Sequence, residues 1–128
     1  KAAQNIVAGV ETGVAGVSIE DATGRADEPL YPFDLAVARV KAARRAIDAS
    51  RSGVVLTARA ECFLTGHPDK LNESIRRLRA YADAGADVLY APGPRTLDEF
   101  RAITAALPGR AVNGLVYTDI GLSVADLA

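Results

Sequence analysis

The sequence predicts an α/β domain whose strands run parallel. Three observations carry this. Short apolar, β-branched runs alternate with longer segments of helical spacing. The runs recur at intervals of about 25 to 40 residues, the length of a βα unit. They are apolar throughout rather than alternating, which predicts burial on both faces of a parallel sheet flanked by helices.

The elements follow in order. Ile6, Val7 and Val10 make a short helical stripe that Gly13 ends, and Val14–Ile19 is the first strand. Leu35, Ala38, Ala42 and Ile47 make a second stripe, with Asp34 placed to cap its start and Gly53 to end it. Val54–Ala58 is the second strand. Leu71, Ile75, Leu78 and Ala82 follow steps of four, three and four, one face of a helix that Asp69 caps and Gly85 ends. Val88–Ala91 is the third strand. Leu97, Phe100, Ile103 and Leu107 repeat the helical stripe, with Thr96 and Glu99 at capping-box spacing and Pro108-Gly109 closing it. Ala111–Val116 is the fourth strand. Two longer loops remain, Asp21–Phe33 and Arg59–Pro68.

Composition removes several classes. The 128 residues can bury one core, and 25 alanines make that core one of small side chains. An apolar fraction of 49% with a net charge of −1 excludes disorder. A single cysteine excludes a disulfide scaffold. Fifteen basic residues against sixteen acidic ones predict no nucleic-acid partner. No apolar run approaches the ~18 residues of a membrane span, so no membrane partner is expected. The opening KAAQNIVAGVETG does not read as a secretory leader, and a cytoplasmic protein is expected.

In parallel α/β folds, chemistry gathers at the carboxyl ends of strands. The first strand ends Ser18-Ile19-Glu20-Asp21. Adjacent residues point to opposite sides of the pleat, so only one of the two acids faces a site. Glu20 shares its direction with Ser18, and is either a site acid or a solvated loop acid. The second strand ends in Arg59, which needs an anion to be buried. It reads as a fork for a carboxylate or phosphate, or as a structural partner of Glu20. Cys62 reads as a small buried side chain. The third strand ends Tyr90-Ala91-Pro92-Gly93, a rigid turn read as having no titratable group. Asn113, inside the fourth apolar strand, is either a substrate donor or a member of a core network. His67 reads as a surface loop residue. Arg39, Lys41, Arg44 and Arg45, with Arg76, Arg77 and Arg79, read as solvated outer helix faces.

These residues lie in stretches that resemble the isocitrate lyase and phosphoenolpyruvate mutase superfamily. The stretches are Gly16 to Asp21, Pro29 to Ala36, Leu56 to Arg59, Ala84 to Gly93, Ala111 to Asn113 and Gly121 to Ala125. The resemblance implies a (β/α)8 TIM barrel, of which this chain would supply about strands 4 to 7. The N-terminal strands and the C-terminal end would lie outside residues 1–128. It also implies Mg²⁺ as cofactor and a small α-oxo or α-hydroxy carboxylate as substrate, met through an enolate-like pyruvyl intermediate.

By the same resemblance, Glu20 would belong to the Mg²⁺ shell, through water. Arg59 would neutralise the substrate carboxylate and the developing oxyanion. Asn113 would hydrogen-bond the substrate's second anionic end, with Ser123 a further candidate. C–C cleavage is the favoured outcome. The alternatives are a catalytically degenerate member that binds a metabolite or serves only in assembly, and a P–C bond mutase or hydrolase. A homo-oligomer is expected.

Three departures accompany the resemblance. The loop Ala22 to Tyr31 lacks the Lys, Cys and His that the lyases carry there. Ala91-Pro92 stands where relatives place an acid or a His. The aspartates that hold Mg²⁺ directly would come from strands before residue 1.

Overall fold

The computed structural model describes residues 1–116 and 118–127. Its elements are α1 (Ala2–Glu11), β1 (Gly16–Glu20), α2 (Phe33–Ser50), β2 (Val55–Arg59), α3 (Lys70–Asp83), β3 (Val88–Tyr90), α4 (Leu97–Ala105), β4 (Ala111–Asn113) and α5 (Val124–Leu127). The alternation is the expected one, with the short α5 added. All four strands are parallel and lie in sequence order, β1-β2-β3-β4. Sequential parallel strands joined by right-handed crossovers put every connecting helix on the same side of the sheet. This is the arrangement of four consecutive βα units of a (β/α)8 barrel.

Within the described residues, burial is concentrated on the helix-facing side of the strands. Ile19, Leu56, Ala58 and Leu89 are buried among the helices, while their neighbours Glu20, Val55 and Asn113 are half-covered or exposed. Among the described residues the sheet therefore has one packed face and one open face. The runs read as continuously apolar because small and β-branched residues occupy both sides.

Small side chains let the helices close on the sheet. The buried face of α2 is Ala36, Val40, Ala43 and Ile47. It is set off from the expected stripe, and Leu35 is left 48% exposed. Two alanines at the contact allow the helix backbone to approach while Val40 and Ile47 fill the space beyond. α2 also begins earlier than expected, after Pro32, and Asp34 lies in its first turn rather than capping it. Asp69 does occupy the cap position of α3, but its carboxylate accepts from the Asn72 side chain and not from the helix backbone. The capping box of α4 is present as expected: Thr96 accepts from the Glu99 amide, and Glu99 accepts from the Thr96 amide. β4 stops at Asn113, three residues short of the expected end. Gly114 follows it, and Leu115 and Val116 are exposed.

Among the described residues, no helix is long and apolar enough to cross a membrane.

Candidate active site

The register of the sheet aligns the strand ends. Glu20 pairs with Arg59, Arg59 with Tyr90, and Tyr90 with Asn113. Residues in register on neighbouring parallel strands point to the same face. Glu20, Arg59, Tyr90 and Asn113 therefore form one row on the open face, at the carboxyl ends of the strands. The row unites three of the expected site residues. It adds Tyr90, which corrects the reading of the third strand end as free of titratable groups. Tyr90 lies between Arg59 and Asn113, and the Arg59 guanidinium carbon is 5.3 Å from its ring centroid.

Arg59 is held by carboxylates. Its Nε donates to Glu61 Oε1 at 2.7 Å, and its Nη2 lies 3.6 Å from Glu20 Oε2. Of the two open readings of Arg59, the structure holds the loose pairing with Glu20, and the guanidinium is part-buried. Burial works to lower the Arg59 pKa, but Glu61 and Glu20 outweigh it and keep the group charged. Burial also pushes the Glu61 carboxyl above its ordinary range, against the pull of Arg59. Glu61 had no role in the sequence reading. Its signal was present, since a residue two positions after Arg59 in extended chain shares its side.

Asn113 is exposed among the described residues, at the end of β4. Ser123 lies outside the row: its hydroxyl donates to Asp126 Oδ2 at 2.6 Å, in the first turn of α5. A cavity of about 210 Å³ opens beside β4, lined by Ala91, Pro94, Phe100, Ile103, Val112 and Asn113 among others. Asn113 is the one member of the row that lines it, so it is separate from the charged part of the site.

Beneath the row is a buried polar cluster. Asp21, the residue just after β1, is 2% exposed, in contrast to the exposed Glu20 before it. Its Oδ2 accepts from Arg77 Nη1 at 3.0 Å and from the Tyr81 hydroxyl at 2.5 Å, and its Oδ1 accepts from the Glu61 amide at 2.8 Å. Arg77 also donates to the Tyr31 carbonyl and to Glu73. Reading Arg77 as solvated is thereby corrected: it is 5% exposed and paired twice. Burial and then Asp21 push the Tyr81 phenol up, so it stays protonated as a donor.

Arg39 and Arg44 depart from the solvated reading too. Arg39 stacks on the Tyr31 ring at 4.1 Å, and Arg44 pairs with Asp87 and Asp48. Cys62 is fully buried, as expected, and burial pushes its thiol up to about 11. His67, half-buried, accepts the Asp69 amide on Nδ1. The loop after β1 is a small hairpin, closed by an Ala22–Leu30 bridge, with Arg25 paired to Asp27 and Glu28 at its tip.

For a metal, the described residues offer little. Among them no group of three His, Cys, Asp or Glu is placed to hold an ion. Glu20 supplies one accessible carboxylate, while Glu61 is committed to Arg59. These residues do not by themselves make a Mg²⁺ site.

A family model described as phosphoenolpyruvate phosphomutase matches residues 1–128. The oxaloacetate decarboxylase of Paraburkholderia xenovorans (strain LB400) is 35% identical over 101 residues, 74% of this chain and 32% of its own length. A solved structure from Burkholderia cenocepacia J2315, described only as a lyase/mutase, superposes with a TM-score of 0.87 at 48% identity. That match covers 98% of this chain and 45% of the other. Phosphonopyruvate hydrolase in complex with oxalate and Mg²⁺ superposes with a TM-score of 0.71 at 26% identity, over 86% of this chain and 38% of that one. The chain thus spans less than half the length of each of these relatives.

Proposed function

The chain belongs to the phosphoenolpyruvate phosphomutase family, and from that premise we propose that it carries the carboxylate-binding row of a lyase- or mutase-type barrel enzyme. The substrate is a small α-oxo or α-hydroxy carboxylate. The observation that carries this reading is the in-register row of Glu20, Arg59 and Asn113 on the open face of the sheet.

The chemistry follows from the groups present. A guanidinium offers paired N–H donors that match a carboxylate. Fixed beside the reacting carbon, it also stabilises the negative charge of an enolate-like anion as a bond next to the carboxylate breaks. The exposed Asn113 amide supplies donors for the other end of the ligand. C–C cleavage, the chemistry of the oxaloacetate decarboxylase, is the favoured outcome, and the P–C chemistry of the phosphonopyruvate hydrolase is the alternative. Mg²⁺, present with oxalate in that hydrolase, would meet Glu20 through water and take its direct ligands from strands outside this chain.

A second reading has its own support. Ala91-Pro92 offers no acid or base beside the row, and the hairpin after β1 carries no Cys, Lys or His. On that reading the protein binds a carboxylate without turning it over.

Both are tested on the full-length protein with Mg²⁺, assayed against oxaloacetate, methylisocitrate and phosphonopyruvate, with oxalate binding measured by calorimetry. Turnover of one substrate, lost in Arg59→Ala, supports the enzyme. Oxalate binding that depends on Arg59 without any turnover supports the binder. Absence of both turnover and Mg²⁺-dependent oxalate binding overturns the carboxylate site altogether.

A further inference from the structure

We propose that Glu61 is a positioning residue, which fixes the Arg59 guanidinium by its Nε so that the Nη edge is left for a ligand. This deepens the function proposed above and takes from it the identity of the ligand as a carboxylate.

The two acids that touch Arg59 hold it unequally. Glu61 is 4% exposed and accepts from Nε at 2.7 Å, a short charge-assisted bond. Glu20 is 52% exposed in its side chain and stands 3.6 Å from Nη2, beyond hydrogen-bond length. An arriving carboxylate can therefore displace Glu20 from the Nη edge while the Nε bond stays. The guanidinium has five N–H donors, and Glu61 uses the single one on Nε. Among the described residues, no hydrogen bond takes up the four on the Nη atoms.

Glu61 is itself anchored. Its backbone amide donates to Asp21 Oδ1 at 2.8 Å, and Asp21 is pinned by Arg77 and Tyr81. A continuous buried chain thus runs from α3 through the end of β1 to the loop after β2, and ends on Arg59 Nε. The Tyr90 ring lies against the guanidinium from the next strand. An arginine held in this way has less rotamer freedom to lose when a ligand binds.

The test uses the full-length protein, oxalate as the probe, and two measurements. Calorimetry at fixed Mg²⁺ reads oxalate affinity, and ¹H–¹⁵N NMR reads the Arg59 Nε–H resonance. Glu61→Ala is expected to weaken oxalate binding about tenfold or more, the size that outer partners of binding groups carry. It should also abolish the slowly exchanging Nε–H resonance. Glu61→Gln keeps an oxygen acceptor and should retain most of the affinity and the resonance.

Wild-type affinity in Glu61→Ala, or an unaltered Nε–H resonance there, overturns the proposal. So does a folded Glu61→Gln variant as weak as Glu61→Ala. Should Glu61→Ala fail to fold, Glu61→Asp decides: its shorter reach must weaken oxalate binding, and wild-type binding overturns the idea. If the wild-type protein does not bind oxalate, the carboxylate reading falls, while the Nε–H resonance in Glu61→Ala still decides whether Glu61 fixes Arg59.

Discussion

The buried cluster under the row makes a quantitative claim about one oxygen atom. Tyr81 is 1% exposed, and its hydroxyl donates to Asp21 Oδ2 at 2.5 Å. Tyr81→Phe removes that oxygen and leaves the ring in place, so no large cavity opens. Asp21 keeps Arg77 and the Glu61 amide. The loss is then one hydrogen bond to a charged acceptor, about 1.5–3 kcal/mol. That is one to two orders of magnitude in the folding equilibrium, at about 1.4 kcal/mol per factor of ten. Arg77→Leu should cost more, about 3–5 kcal/mol, because it leaves the Asp21 carboxylate buried without its cation. Urea unfolding of the full-length protein reads both. A double-mutant cycle with Asp21→Asn should show that the Tyr81→Phe loss shrinks when the charge is gone. A Tyr81→Phe variant as stable as wild type, or a cycle with no coupling, would refute the assignment of this cluster as a charged, hydrogen-bonded unit.

Two further predictions concern stability. Burial raises the Glu73 carboxyl, but hydrogen bonds from Arg77 and Arg76 outweigh it and hold the group below its ordinary 4.5. A carboxyl more acidic in the folded state adds stability above that value and loses it as pH falls further. Glu73→Gln should therefore flatten the stability–pH curve below about 4.5, and an unchanged slope there would count against the pairing. Gly93 has φ 109°, and a Cβ built on it would lie 2.8 Å from Phe63 Cβ. Gly93→Ala should lower stability by more than the roughly 1 kcal/mol of an unfavourable backbone alone, and by more than Gly109→Ala. Gly109 shares a positive φ but has open space around it. Equal losses in thermal unfolding would show that the contact with Phe63 is relieved.

Much of the scaffold was legible because local rules decide it. The helical stripe of α4 and its capping box depend on residues within one or two turns of each other, and both are present. The contrast between exposed Glu20 and buried Asp21 matches the alternation expected along extended chain. What was not legible depends on distant partners. Arg77 shares α3 with two solvent-facing arginines, and besides its helix neighbour Glu73 its burial rests on Asp21, 56 residues earlier in the chain, and on the Tyr31 carbonyl. Glu61 is marked in sequence only by its spacing of two from Arg59, because its role is set by the side chain of Arg59 and the carboxylate of Asp21 together. The α2 face was misplaced because hydrophobicity favours Leu35, whereas close packing on the sheet selects Ala36 and Ala43. Tyr90 is masked in sequence by the apolar run it ends, and only its register with Arg59 and Asn113 puts it in the row.

The register also sets a scale of length. Neighbouring strands stand about 4.8 Å apart, so two strand widths, roughly 10 Å of backbone, separate Arg59 from Asn113, and one separates Arg59 from Glu20. The sheet is a ruler graduated by its own hydrogen bonds. A ligand anchored at Arg59 is measured against the next graduation, and a compound too short to span two of them meets Asn113 only through the reach of side chains. Exchanging the residue at one graduation changes which ligand length fits there, while the backbone pairs that set the spacing stay as they are.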